Sequence, residues 1–164
     1  MTDSELTAAA ARVLEACRAR SLKIATAESC TGGLVAAALT EIAGSSDVVE
    51  RGFVTYSDAA KHDLLGVSTA VLAEHGAVSR ETAGAMAQGA LARSRADLAV
   101  AVTGIAGPSG GSAAKPIGLV HFAVTSQGGK SIVREKRFGD VGRHEVRRRS
   151  VLEALALLEE LARP

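Results

Sequence analysis

Apolar positions at intervals of three and four open the chain. Leu6, Ala10, Val13, Leu14 and Cys17 fall on one stripe of a helix over residues 3–20, and Thr2 and Glu5 have capping-box spacing at its start. The stripe makes Cys17 a core residue. LKIATA then predicts a short strand, Leu22 to Ala27, followed by the loop ESCTGG and a second helix, LVAAALTEIA. Past a break at Gly44, VVERGFVTYS alternates as a strand does, with Val54 and Tyr56 on one face and Phe53 and Thr55 on the other. Two short helices end at Gly66 and Gly76. A longer one, capped by Ser79, carries the stripe Ala83, Met86, Ala87, Ala90 and Leu91. DLAVAVTG is nearly all apolar and reads as a central strand buried on both faces. A glycine-rich loop from Gly104 to Pro116 follows. IGLVHFAVTS and SIVREKRF then form a hairpin around Gly128 and Gly129, and a last helix starts near Asp140. This order predicts an α/β fold, a three-layer α/β/α sandwich around a mixed β-sheet.

Composition narrows the picture. A chain of 164 residues fits one domain, 1–164. Apolar residues are 47% but aromatics only 2%, so the core must pack from small aliphatic side chains. The net charge of +1 gives no case for a nucleic-acid partner or a membrane surface. Cys17 and Cys30 make no disulfide framework and have no metal-ligand spacing partner, so a cytosolic setting is the default. The charged, helical N-terminus has no apolar run long enough for a signal peptide or membrane span. The chain reads as soluble and cytoplasmic.

Two loops carry the candidate chemistry. ESCTGG leaves the first strand and TGIAGPSGG leaves the central one. If those strands are parallel, both loops lie at the carboxyl edge of the sheet, where open α/β sheets hold ligands. Gly32 and Gly33 at a helix start leave N–H groups free for an anion or oxyanion, or they simply make a tight turn. GIAGPSGG lacks the P-loop pattern and does not open a helix. Lys115 at its end is either a solvated charge or a ligand contact.

Ser29 and Cys30 are neighbours, so on an extended turn they point in different directions. A serine needs a base to attack at neutral pH. His62, His75, His121 and His144 have no acidic partner in a triad arrangement and read as structural or surface residues. Lysine serves as a base when it is desolvated. Leu64 and Leu65 follow Lys61 by three and four residues, so Lys61 projects from a packing face; the alternative is a snorkelling surface lysine. On the last helix, Arg143 and Arg147 continue the inner stripe Val151, Leu155, Leu158. They either reach over the sheet edge to a phosphate or carboxylate, or meet solvent or a partner subunit.

The segments TAESCTGG, GFVTYSDAAKHDLLGV, HGAVSRETAGAMAQGAL and VTGIAGPSGGSAAKPIGLVHFAV, in this order and spacing, resemble the CinA C-terminal domain family, most closely its stand-alone members. The resemblance covers about residues 5 to 160. It implies nicotinamide-nucleotide amidase activity: hydrolysis of nicotinamide mononucleotide to nicotinate mononucleotide and ammonia, in pyridine nucleotide recycling. It implies no metal or cofactor, Ser29 as nucleophile, Lys61 as base and Tyr56 as an assisting residue. On that basis the N–H groups of Thr31, Gly32 and Gly33 are expected to stabilise the oxyanion. Gly104, Gly107, Gly110 and Gly111, with Arg143 or Arg147, are expected to hold ribose and phosphate. A homodimer or higher homo-oligomer is expected. The competing readings are a Cys30 nucleophile and a nucleotide-sensing module without turnover.

Overall fold

The structure is a computed structural model and describes residues 3–164. Its elements are α1 (Ser4–Ala19), β1 (Ile24–Glu28), α2 (Leu34–Thr40), β2 (Val49–Val54), α3 (Asp58–Leu65), α4 (Thr69–His75), α5 (Arg80–Ala92), β3 (Leu98–Gly104), β4 (Leu119–Ser126), β5 (Ser131–Arg137) and α6 (Arg143–Ala162). The five strands form one sheet in the order β2-β1-β3-β4-β5. β1 runs parallel to β2 and β3, while β4 and β5 add antiparallel. The expected mixed sheet with a late hairpin is therefore what forms. Among the described residues no helix is long and apolar enough to cross a membrane.

Alternation along the strands separates two cores. Ile24, Val100, Val102, Val120, Phe122 and Val124 face α1, α2 and α6. Ala25, Ala27, Ala99, Ala101 and Ala123 face the other way, towards α3 and α5. That second face is a floor of methyl groups, and α5 packs on it through Ala83, Met86, Ala87 and Ala90. Small side chains on both sides bring backbone close to backbone. This is how a chain poor in aromatics still fills its interior at native density. Cys17 is fully buried in the first core, as its stripe requires.

Local chemistry sets the helix ends. Ser57, Ser68 and Ser79 each accept a backbone N–H three residues on, opening α3, α4 and α5. Thr2 of the expected capping box lies outside the described residues, and Asp3 caps α1 by accepting from the N–H groups of Glu5 and Leu6. The second strand ends at Val54, two residues short of Tyr56. Helix α6 begins at Arg143, because Gly139 and Gly142, both at positive φ, hold the preceding turn open.

Two glycines of α5 make a matched test of this close packing. A Cβ at Gly84 meets nothing within 4 Å, whereas one at Gly89 would collide with the carbonyl group of Leu65 in α3. Gly84→Ala is expected to raise stability by about 0.5–1 kcal/mol through helix propensity alone. Gly89→Ala is expected to lower it by about 1–3 kcal/mol, because a backbone group cannot swing aside and the overpacking cost exceeds the propensity gain. Urea unfolding of the two variants measures both signs.

Candidate active site

The cleft lies where the chain order reverses, outside the carboxyl ends of β1 and β3. It has a volume of about 260 Å³ and is lined by Ser29, Tyr56, Lys61, Thr103 and Arg143, among others. Strand alternation places its floor. Ser29 continues the row of Ala25 and Ala27, and Thr103 continues the row of Ala99 and Ala101. A larger, more apolar groove of about 570 Å³ runs between α1, α2 and α6, but neither Ser29 nor Lys61 reaches it.

Lys61 is 1% exposed. It leaves the inner face of α3 one turn before Leu65, which is also buried; Leu64, counted as an inward neighbour from the sequence, is on the outer side and half exposed. The Lys61 Nζ lies 3.2 Å from the Ser29 Oγ and donates to the Thr55 carbonyl at 2.9 Å. Burial pushes its pKa below the 10.5 of a solvated lysine, with Asp58 and Cys30 pulling weakly the other way. A neutral amine suits these partners. The carbonyl accepts from the amine, and the serine hydroxyl lies within hydrogen-bond reach of the same nitrogen.

The loop after β1 is tied at several points. Ser29 N–H donates to the Val102 carbonyl, and Gly32 N–H donates back to the Ser29 carbonyl. Arg147 donates to the carbonyls of Cys30 and Thr31 at 3.1 and 3.2 Å. Glu28, the last residue of β1, is 1% exposed and accepts from the N–H groups of Val35 and Ala36 at 2.8 and 3.1 Å.

These bonds correct several expectations. The Gly32 N–H is committed within the turn, and Thr31, Gly32 and Gly33 do not line the cleft. The start of α2 is already occupied by the Glu28 carboxylate. Arg147 spends its donors on the back of the Ser29 loop and does not line the cleft either. Lys115 is half-buried and does not line the cleft; its amine donates to the His75 carbonyl at 2.6 Å and ties the glycine loop to the end of α4. Gly111 sits outside the cleft, beneath Ile117.

Other expected residues do converge. Gly104, Gly107 and Gly110 line one wall. A Cβ at Gly104 or Gly107 would press on Val120 or Ile117, so these two glycines also serve the loop's own packing. Arg143 lines the cleft, donating to the Gly107 carbonyl at 2.9 Å and to the Tyr56 hydroxyl at 2.8 Å. Tyr56 is at the rim, 60% exposed, and bonds to Arg143 rather than to Ser29 or Lys61. No histidine lines the cleft. Among the described residues, no group of three or more His, Cys, Asp or Glu side chains is placed to hold a metal ion.

Three contributors escape the sequence reading: Glu28, Thr103 and the Thr55 carbonyl. Glu28 leaves a trace, an acidic residue closing a strand otherwise made of small and apolar residues. Thr103 is legible only from the alternation of β3, and a backbone carbonyl leaves no trace.

Fold and site together define an α/β protein with a serine and a desolvated lysine in contact at the carboxyl edge of its parallel strands. The chain matches the CinA C-terminal domain over residues 6–162, and it belongs to that family. Nicotinamide-nucleotide amidohydrolase PncC of Escherichia coli (strain K12) is 52% identical over 159 residues, covering 96% of this chain and 95% of that protein. The protein of the same name from Enterobacter agglomerans is 48% identical over 138 residues, 84% of each. The crystal structure of competence/damage inducible protein CihA from Agrobacterium tumefaciens superposes with a TM-score of 0.96 at 55% identity, over 98% of both chains.

Cys30 also lines the cleft, but its side chain is buried in the core on the α2 side of the sheet. Burial pushes its thiol up to about 12 and that of Cys17 up to about 11. Iodoacetamide at pH 8 is therefore expected to leave both cysteines unmodified in the native protein and to alkylate both after unfolding, read by mass spectrometry. Rapid native labelling of Cys30 would contradict this geometry.

Proposed function

We propose that the chain is a nicotinamide-nucleotide amidase that hydrolyses nicotinamide mononucleotide to nicotinate mononucleotide and ammonia with a serine nucleophile and a lysine base. The observation that carries the mechanism is the 3.2 Å contact between the Lys61 amine and the Ser29 hydroxyl in a site that desolvates the amine. The identity to the Escherichia coli amidohydrolase over nearly its full length supports the substrate.

Neutral Lys61 takes the Ser29 proton as Ser29 Oγ attacks the carboxamide carbon. The oxyanion meets the N–H of Cys30, the residue after the nucleophile, together with N–H groups of the Ala106–Gly107 segment. This assignment replaces the committed N–H of Gly32, and each such donor is worth about 3–4 kcal/mol in other hydrolases. Lys61, now protonated, gives its proton to the departing nitrogen, and ammonia leaves an acyl ester on Ser29. Water, deprotonated by the same amine, attacks that ester; Lys61 returns the proton to the departing Ser29 Oγ, and the acid is released and ionises to the carboxylate product. Arg143 meets the anionic part of the nucleotide in this reading, which its hold on Tyr56 and Gly107 at the cleft mouth supports. Two free, buried thiols accord with a reducing, cytoplasmic setting.

Ammonia release from nicotinamide mononucleotide tests the reading. Lys61→Ala is expected to lose about 10²–10⁴-fold in kcat and Ser29→Ala at least as much, while Cys30→Ala keeps activity. Binding without ammonia release by the wild type would identify a nucleotide sensor instead. The pH profile follows from the sign of the Lys61 shift. Only the neutral amine is a base, so kcat/KM falls with decreasing pH once Lys61 takes up its proton, by about tenfold per unit. That limb is expected to lie below 10.5, the ordinary lysine value, because burial disfavours the charged form. A limb centred at or above 10.5 would refute the desolvated-base reading.

A further inference from the structure

Every other helix that opens with a side-chain cap takes it from the residue immediately before it: Asp3, Ser57, Ser68 and Ser79. Helix α2 does not. Its N-cap is Gly33, at φ 105°, which has no side chain to offer. The cap comes from Glu28, across the whole Ser29 loop, and both carboxylate oxygens are used: Oε1 on Val35 N–H and Oε2 on Ala36 N–H. No cation pairs with this buried carboxylate among the described residues. A surface serine would have capped the helix at far lower desolvation cost, so capping alone does not account for it.

What Glu28 does that a local cap cannot is close the loop from β1 to α2 into a fixed span. One end of that span is the Ser29 N–H on the Val102 carbonyl; the other is the first turn of α2 on the Glu28 carboxylate. The Glu28 backbone carbonyl also accepts the Thr55 N–H at 2.8 Å, and the Thr55 carbonyl accepts the Lys61 amine at 2.9 Å. Nucleophile and base are thus referenced to one residue. We infer that Glu28 is a positioning residue for the Ser29–Lys61 pair, its carboxylate holding the Ser29 loop at the register in which Oγ meets Nζ. The role rests on the serine–lysine reading, but it concerns the geometry of the pair and is independent of the substrate.

The test uses the purified full chain and a fluorophosphonate, which reports serine nucleophilicity without any nucleotide. Adducts are located by mass spectrometry in wild type, Lys61→Ala, Glu28→Gln and Glu28→Asp. Glutamine keeps the size but turns one acceptor into a donor facing an N–H; aspartate keeps the charge but withdraws it by one methylene. Wild type is expected to label at Ser29 in a Lys61-dependent manner. Both Glu28 variants are expected to label on the order of 100-fold more slowly, the cost of a displacement near 1 Å. They are also expected to lose the same factor in kcat with KM within about twofold of wild type, at a temperature where thermal unfolding shows them folded. If Glu28→Gln does not fold, Glu28→Asp carries the test. Folded variants that label at the wild-type rate overturn the proposal, as does a raised KM with unchanged kcat. Failure of both variants to fold makes Glu28 a structural cap and overturns it too. Labelling of wild type without ammonia release refutes the amidase reading and leaves the role of Glu28 to the labelling rates. No Lys61-dependent labelling in wild type refutes the pair, and Glu28 with it.

Discussion

The amine of Lys61 is held out of water between a peptide carbonyl and a serine hydroxyl, with no carboxylate paired to it among the described residues. That placement requires tight walls around it, because water on the amine would relieve the desolvation that lowers its pKa. The tightness comes from α3 and α5. Gly89 lets α5 approach the Leu65 backbone, and the methyl floor of the sheet lets α5 settle onto β1 and β3. The packing of an ordinary-looking alanine-rich helix is therefore part of how the Lys61 amine is kept out of water.

The other half of the site follows from the two-residue period of a strand. Glu28 and Cys30 face α2, and Ser29 between them faces α3. One residue of slip would exchange the serine hydroxyl for the thiol and aim the carboxylate at the cleft. Arg147 adds to this from behind by holding the carbonyls of Cys30 and Thr31. Two arginines one helical turn apart on α6 thus do different things. Arg143 opens towards the cleft mouth, and Arg147 braces the loop.

Much of this arrangement was legible in the sequence, and for definite reasons. The strand pattern gave the sheet and its late hairpin because burial on one or both faces writes itself into the spacing of Val, Ala and Leu. Ser29 and Lys61 were reachable, the first from its place after a buried strand, the second from a cation on an apolar helix face. The bonds of the loop were not reachable. Whether Gly32 offers its N–H to a ligand or to the Ser29 carbonyl depends on backbone angles that two glycines leave open. Arg147 and Lys115 stayed open between a ligand and solvent because a sequence shows a charge but not the carbonyl waiting for it. Glu28 went unread because its partners lie seven and eight residues on, in a helix that offers no cap of its own.

The two faces of the sheet also differ in how freely their sequence can change. On the α1 and α6 side, valine, leucine, isoleucine and phenylalanine interlock, and such cores accept exchanges that conserve total volume. On the α3 and α5 side the buried apolar side chains of the sheet are all alanines, and the larger ones, Leu65 and Met86, come from the helices. The sheet itself has no larger buried side chain there to shrink in compensation, so a carbon added to it must push on a helix. Substitutions should accumulate unevenly across the molecule, readily behind the sheet and sparingly beneath the cleft, even at positions that no substrate ever touches.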